Sequence, residues 1–167
     1  MKHDAFISAA KMQSHQVNGS NGDYAAFIEA KSQIGMNHGF EPLWMPDFLF
    51  DFQRALVEWA IKKGRAAIFA DCGLGKTPMQ LVCAENIARK TNRPVLILAP
   101  LAVSNQFERE AALLGMSVTI CASGDDLRPG VNVTNYQKLH KFDTADLGGV
   151  ALDESSILKS QIGRAHV

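Results

Sequence analysis

The sequence predicts an α/β protein in which helices cover both faces of an open parallel sheet. Three observations lead to this fold class. Short apolar runs alternate along the chain with stretches of helical periodicity, which is typical of strands and helices that follow one another in a parallel sheet. A glycine-rich segment joins one apolar run to a helix. A pair of acidic residues follows the last apolar run, where open α/β sheets gather their ligands.

The glycine-rich segment, residues 70–77, has the pattern of a phosphate-binding loop. It lies between the apolar run 66–69, which we expect to be a strand buried on both faces, and a helix with an apolar stripe. Its two glycines can bring backbone N–H groups close to phosphate oxygens. Lys76 would reach the β- and γ-phosphates, and the Thr77 hydroxyl would bind Mg²⁺. The residues predicted to hold the nucleotide are Ala70, Asp71, Cys72, Gly73, Leu74, Gly75, Lys76 and Thr77.

The general pattern of such loops has a glycine where this chain has Ala70. A glycine-rich turn that happens to precede Lys-Thr is therefore the alternative interpretation. The strand before the segment and the helix after it favour the phosphate loop, and hence ATP and Mg²⁺ as ligands.

The composition is that of a globular protein without a strong overall field. Of 167 residues, 47% are hydrophobic, and 17 basic residues balance 17 acidic ones, so a nucleic-acid site would have to be local. The three cysteines lack metal-ligand spacing and are interpreted as free thiols in a reducing cytosol. No apolar run reaches the roughly 18 residues of a membrane span, and no signal-peptide core is present. We expect a soluble, cytoplasmic protein of a bacterium or of a phage-infected host.

Residues 1–46 are expected to form an accessory segment. Asp23 is a plausible N-cap for a short helix that Gly35 would end, and an ordered connector spans residues 36–47.

A longer helix is predicted from Asp47, as its N-cap, to Gly64. Gln53 lies off the apolar face of this helix, so a solvated surface glutamine is the simplest interpretation of that residue. The predicted buried face consists of Phe48, Phe52, Leu56, Trp59 and Ala60.

Beyond the glycine-rich segment, the pattern predicts four further strands and a helix. That helix follows Pro100 and runs through Ala112. The strands are expected at residues 95–99, 117–121, 131–134 and 149–152.

The acidic pair Asp153-Glu154 follows the last of these strands. Asp153 would hold Mg²⁺, partly through water, and Glu154 would polarise the water that attacks the γ-phosphate. A turn capped by Asp-Glu-Ser-Ser is the alternative, since short acidic turns are common. The presence of the upstream glycine-rich segment favours the catalytic interpretation.

In this order, the motifs resemble the first RecA-like domain of superfamily 2 helicases and translocases, especially the Snf2-like and phage-type branch. The resemblance covers about residues 49–159. Residues 70–77 are similar to the family's first motif, A-x-x-G-x-G-K-T, which accounts for the alanine at its start. Phe52-Gln53 resembles the motif whose glutamine reads adenine. Residues 153–156 take the place of the Asp-Glu-Ala-His or Asp-Glu-Ala-Asp box and depart from both at the last position, which in the family couples ATP chemistry to nucleic-acid binding.

Two further motifs resemble those with which the family contacts a nucleic-acid backbone. They are residues 98–103 with Gln106, and residues 133–136. The resemblance implies a nucleic-acid partner, DNA rather than RNA, although the residues themselves do not separate the two. Ordinary packing at strand ends is the alternative for both motifs. The implied contact residues are Pro100, Leu101, Ser104, Thr134 and Asn135.

The resemblance also implies that the domain continues past the acidic pair. In the family a further strand inserts between the strands that correspond to residues 66–69 and 149–152, and a second RecA-like domain supplies an arginine finger. We therefore expect residues 47–161 to be a partial ATP-binding domain that is inactive alone. Residues 162–167 match the translation of a common sequencing-adapter sequence and are set aside as a non-native tail. The alternative is a complete, non-catalytic module that binds nucleotide or DNA.

Overall fold

The computed structural model describes residues 9–11, 37–71 and 73–154. The accessory helix predicted at residues 23–35, Cys72 and the tail at residues 162–167 lie outside these ranges. Strands and helices alternate as the sequence predicts, and the α/β class is confirmed. The elements are β1 (Ala9–Lys11), α1 (Asp51–Lys63), β2 (Ala67–Phe69), α2 (Lys76–Thr91), β3 (Val95–Ala99), α3 (Ser104–Leu113), β4 (Val118–Ile120), β5 (Val131–Asn135) and β6 (Gly149–Leu152).

Four of the strands form one parallel sheet with the order β4-β5-β3-β6. In its register, Ile97 of β3 lies between Val133 of β5 and Ala151 of β6. Every residue of β3 and β5 is buried, because each strand has a neighbour on both sides and cover on both faces. The predicted parallel sheet is therefore confirmed, and β3 and β6 have the predicted bounds.

The two faces of this sheet are covered differently. Helices α2 and α3 pack on one face, where Leu81 and Phe107 contact the inward side chains of β3 and β5. The other face is covered by the 3₁₀ turn Tyr136–Lys141 and the segment after it, from which Tyr136, Phe142 and Leu147 join the cluster of Leu96 and Leu98. A second 3₁₀ turn, Thr144–Asp146, lies exposed between Phe142 and Leu147. The sequence predicts helices on both faces of the sheet. Within the described residues, α-helices cover one face only. The Asp143 carboxylate accepts a hydrogen bond from the Ala145 N–H and so caps the turn Thr144–Asp146. The chain therefore starts a second turn here and does not continue as one longer helix.

Helix α1 begins later than predicted. Its N-cap is Phe50, and Asp47 instead pairs with Arg54 at 2.8 Å. The predicted end is correct, because Gly64 adopts a left-handed conformation and donates its N–H to the carbonyls of Ala60 and Ile61.

The buried face of α1 is shifted by one residue from the prediction. Phe48 and Phe52 are exposed, whereas Leu49 and Gln53 are buried. The helix packs against Met79 and Val82 of α2, and this contact sets the direction in which each side chain points. The residues that face inward from this region are Leu49, Gln53, Val57, Ala60 and Ile61.

The connector before α1 is ordered from residue 37 onward, as predicted, and a buried asparagine of α2 holds it. The Asn86 Oδ1 accepts from the backbone N–H groups of Leu43 and Trp44, at 2.8 and 2.9 Å. Its Nδ2 donates to the carbonyls of Trp44 and Val82, both at 2.8 Å. All of its polar groups therefore have partners in the interior.

Strand β2 does not belong to the four-stranded sheet. It pairs in parallel with β1 in a sheet of two strands, and Phe69 at its end is 59% exposed. The prediction of a strand buried on both faces is therefore wrong. A cavity of about 230 Å³ lies between this region and the edge of β6, lined among others by Ala66, Cys83, Ile87 and Gly149.

Candidate functional site

The glycine-rich segment forms a tight loop between β2 and α2. Gly73 and Gly75 have φ values of 84° and 70°, in the left-handed region that favours glycine. At Gly73 a Cβ atom would meet nothing within 4 Å, so the backbone conformation alone calls for glycine. At Gly75 a Cβ would also lie 2.3 Å from the Gln53 Nε2, so space calls for glycine as well.

The start of α2 offers backbone donors to an anion. Met79 donates its N–H to the Gly75 carbonyl at 3.4 Å. The preceding N–H groups of Lys76 and Thr77 have no backbone acceptor among the described residues, as expected for the first turn of a helix. This turn contains no acidic residue. The helix dipole and the free N–H groups together favour a negatively charged ligand here.

Lys76 lies over the loop that precedes it. Its ammonium group donates to the Ala70 carbonyl at 3.0 Å. Burial raises the pKa of the Asp153 carboxyl, and the positive charge of Lys76 acts in the opposite direction, so the lysine lies within electrostatic reach of the acidic pair. Electrostatic interaction between Lys76 and Asp153 thus links the glycine-rich loop to the acidic pair.

The acidic pair is fixed by its backbone. Asp153 donates its N–H to the Leu98 carbonyl at 2.8 Å, which extends the ladder between β6 and β3 by one residue. The Asp153 carbonyl accepts a hydrogen bond from the Tyr136 hydroxyl. Glu154 is exposed and has a φ of 49°, an uncommon conformation for a residue other than glycine. Backbone outliers of this kind cluster at functional sites.

The pKa of the Asp153 carboxyl is raised above its ordinary value. Burial is the largest cause, the negative charge of Glu154 adds to it, and Lys76 opposes both. A cation bound beside this carboxylate would favour its charged form, because it would offset both the loss of solvation on burial and the repulsion from Glu154.

The donor set fits a magnesium ion that arrives with a phosphate. Mg²⁺ is commonly bound by one or two carboxylates together with phosphate oxygens and water. Asp153 and the Thr77 hydroxyl would supply the protein oxygens. The described ranges contain no group of three or more His, Cys, Asp or Glu side chains that could hold a metal without a phosphate.

The Gln53 side chain contacts the glycine-rich loop, and its amide is already hydrogen-bonded to the backbone. The side chain is only 4% exposed. Its Oε1 accepts from the Phe50 N–H and its Nε2 donates to the Leu74 carbonyl, both at 3.0 Å. Sequence reasoning predicts an adenine contact for this residue and does not reveal its bond to the loop.

The residues assigned to nucleic acid fall into two groups. Leu101 is exposed just beyond β3, beside the half-buried Pro100. Thr134 is 1% exposed and donates its hydroxyl to the Cys121 carbonyl at 2.8 Å, so that hydroxyl is not available to a phosphate in this arrangement. Asn135 is also buried, and its Oδ1 has no hydrogen-bond partner in the described part of the chain. The Ser104 side chain lies outside the described part of the chain.

Tyr136 is a site residue whose role sequence reasoning missed. It is buried at the end of β5, and its hydroxyl bonds the backbone of Asp153. Burial, together with the charges of Asp153 and Glu154, raises the pKa of its phenol to about 12. The only signal in the sequence is its position as the last residue of the motif at residues 133–136.

Two of the three cysteines, Cys83 and Cys121, lie outside the glycine-rich segment and the acidic pair. Cys83 and Cys121 are free thiols and buried, as predicted for both. Burial raises the pKa of the Cys83 thiol to about 12, which makes it unreactive.

No protein-family model matches the chain, and no solved structure matches it. None of the helices within the described ranges is long and apolar enough to cross a membrane. The interpretation of the site therefore rests on the geometry of the loop, the helix start and the acidic pair.

Proposed function

We propose that the chain is the ATP-binding part of an ATP-dependent nucleic-acid helicase or translocase. The observation that carries this proposal is a left-handed glycine loop at the start of α2, where the first N–H groups have no backbone acceptor among the described residues and where Lys76 interacts electrostatically with the acidic pair after β6. The loop and the helix start offer backbone donors, Lys76 offers a positive charge, and Asp153 offers a carboxylate. A magnesium–triphosphate complex requires all three.

The roles of the residues follow from their positions. The loop backbone and Lys76 would bind the phosphates, because both present positive charge or N–H groups at the start of α2. Thr77 and Asp153 would hold Mg²⁺ between them. Glu154, exposed and next to Asp153, would orient and polarise the attacking water. The bound metal would neutralise charge that develops on the phosphates.

A non-catalytic nucleotide-binding module is the second candidate. The burial of Thr134 and Asn135 favours it, because a translocase would need surface groups to hold the nucleic-acid backbone. Stimulation of ATP hydrolysis by nucleic acid separates the two candidates. A translocase requires such stimulation in the presence of a second domain that supplies an arginine, whereas a binding module shows none.

Calorimetric titration of the 167-residue chain with Mg·ATP tests the shared part of both candidates. We expect binding that Lys76→Ala weakens at least tenfold, since this substitution removes the phosphate-binding charge. Lys90→Ala is the matched control, because it removes the same charge from the last turn of the same helix, far from the loop. Equal affinity of the Lys76→Ala and Lys90→Ala variants would show that the glycine loop is not a phosphate site.

A further inference from the structure

We propose that Gln53 positions the glycine-rich loop and does not read the base of the nucleotide. The inference rests on the proposed nucleotide-binding function. It concerns what fixes the loop and, as a consequence, which part of the ligand the site recognises.

Both ends of the Gln53 amide are already committed to backbone groups. The Phe50 N–H can only donate, so it faces Oε1, and the Leu74 carbonyl can only accept, so it faces Nε2. The two partners together fix the orientation of the amide. Recognition of adenine through a glutamine side chain uses an acceptor and a donor at once, and here each of these atoms is directed to a backbone group and keeps only its second lone pair or second N–H.

Burial makes this arrangement costly to change. Gln53 is 4% exposed, so a base could reach its amide only if the side chain or the residues packed around it moved, and a turn of the amide toward a ligand would break both backbone bonds. The Phe50 N–H and the Leu74 carbonyl would then lose their partners next to a packed core.

The contact between Gln53 and the loop is close as well as hydrogen-bonded. The Gln53 Nε2 would lie 2.3 Å from a Cβ on Gly75, so the amide occupies the space where any other residue would place its side chain. Gln53 itself stands on α1, which Val57 and Ile61 anchor in the core shared with α2. Gln53 therefore links the loop to helix α1, which is packed on α2.

This contact matters because the loop has little other support. Strand β2, which leads into it, pairs only with β1 among the described strands. We expect loss of the Gln53 bond to loosen residues 74–77 and to weaken phosphate binding. The preference for one base over another should not change.

The test compares a ligand without a base to two ligands with different bases. Binding of Mg²⁺–tripolyphosphate, Mg·ATP and Mg·GTP is measured by calorimetry for the parent chain and for Gln53→Met and Gln53→Glu. Gln53→Met keeps the length and removes both bonds. Gln53→Glu keeps the acceptor for the Phe50 N–H and replaces the donor that faces Leu74. Gln137→Met, at an exposed position outside the loop, is the control.

We expect both variants to lose about three- to tenfold in affinity for all three ligands, the range for one buried hydrogen bond. The ratio of ATP to GTP affinity stays within about twofold of the parent. Selective loss of ATP affinity, with tripolyphosphate unchanged, would overturn the inference and make Gln53 a base reader. A parent chain that binds none of the three ligands would instead overturn the proposed function, so the two failures are distinguishable.

Hydrogen exchange in the absence of ligand supplies a second readout. In Gln53→Glu the amides of residues 74–77 should exchange faster, while those of residues 95–99 keep the parent rate. Unchanged exchange in the loop contradicts the positioning role. An equal rise in both segments also contradicts it, because Gln53 would then stabilise the whole fold and not the loop in particular.

Discussion

Strands β3 and β2 both lead into the candidate site, and they are built differently. β3 is buried at all five positions and has hydrogen-bonded neighbours on both sides. β2 has three residues, none of them buried, and pairs with β1. The acidic pair depends on the first kind of support, since the Asp153 N–H continues the β6 ladder onto Leu98. The glycine loop depends on side chains, mainly Gln53 and Lys76.

The acidic pair is therefore the rigid half of the candidate site, and the glycine loop is the half that opens more easily. Backbone ladders inside a packed sheet open only with much of the fold, whereas a loop held by a few side-chain bonds can open locally. A phosphate ligand would therefore order the loop more than the acidic pair.

The largest expected effect comes from truncating one apolar side chain in each strand. Leu96→Ala in β3 should lower the free energy of unfolding by about 2–5 kcal/mol, because it leaves a cavity in a fully buried strand. Phe69→Ala in β2 should cost less than about 1 kcal/mol, since that ring is mostly exposed. Urea denaturation measures both. Equal losses would remove the contrast between the strands.

A smaller but still large effect is expected at Asn86, which joins the connector to α2. Asn86→Ala should cost roughly 2–4 kcal/mol, because it leaves the N–H groups of Leu43 and Trp44 and a Trp44 carbonyl without their partner. Asn37→Ala, at an exposed position, is the control and should change stability by less than about 0.5 kcal/mol. Similar unfolding midpoints for the two variants would show that Asn86 does not hold the connector.

The third prediction concerns pH and the rigid half of the site. The pKa of Asp153 is raised in the folded state, so this group favours folding at low pH and loses that contribution as pH rises through its folded pKa. Asp153→Asn should therefore raise the unfolding temperature at neutral pH. Mg·ATP affinity of the parent should begin to fall on acidification at a higher pH than an ordinary aspartate would give. A destabilised Asp153→Asn variant at pH 7 contradicts this account.

The smallest effect is expected at Tyr136. Tyr136→Phe removes the hydroxyl that bonds the Asp153 carbonyl and keeps the ring in the core, so stability should fall by about 1 kcal/mol. Ultraviolet titration of the parent should show one phenol with a pKa near 12, and the variant should lack it. A parent chain in which all phenols titrate near 10 would show that Tyr136 is not buried beside the acidic pair.

The parts of the fold that the sequence predicts well are those in which one strong pattern decides. Continuous apolar runs define β3 and β6 at their observed bounds, because no other element of that length buries such a run on both faces. The sequence also predicts a loop at residues 70–75, because glycines between a strand and a helix have few structural alternatives.

The parts that it predicts poorly depend on contacts distant in sequence. The phase of α1 is set by packing on α2, so Leu49 is buried and the larger Phe48 is not. Gln53 is buried through a bond to Leu74, 21 residues away, which no local pattern contains. Thr134 and Asn135 stand at the carboxyl end of an apolar strand, where a ligand-binding segment would lie, and only the sheet order shows that this strand is internal and covered by the next turn.

The central claim is that the glycine loop is the phosphate-binding half of the site, and amide resonances during a titration with Mg·ATP test it most directly. Gly115 and Gly130 are matched controls, because they are also left-handed glycines with open space around them. We predict that the amide signals of Gly73, Gly75 and Lys76 shift with saturation, while those of Gly115 and Gly130 do not. Shifts of equal size at all four glycines, or no shift at Gly73 and Gly75, would contradict the claim.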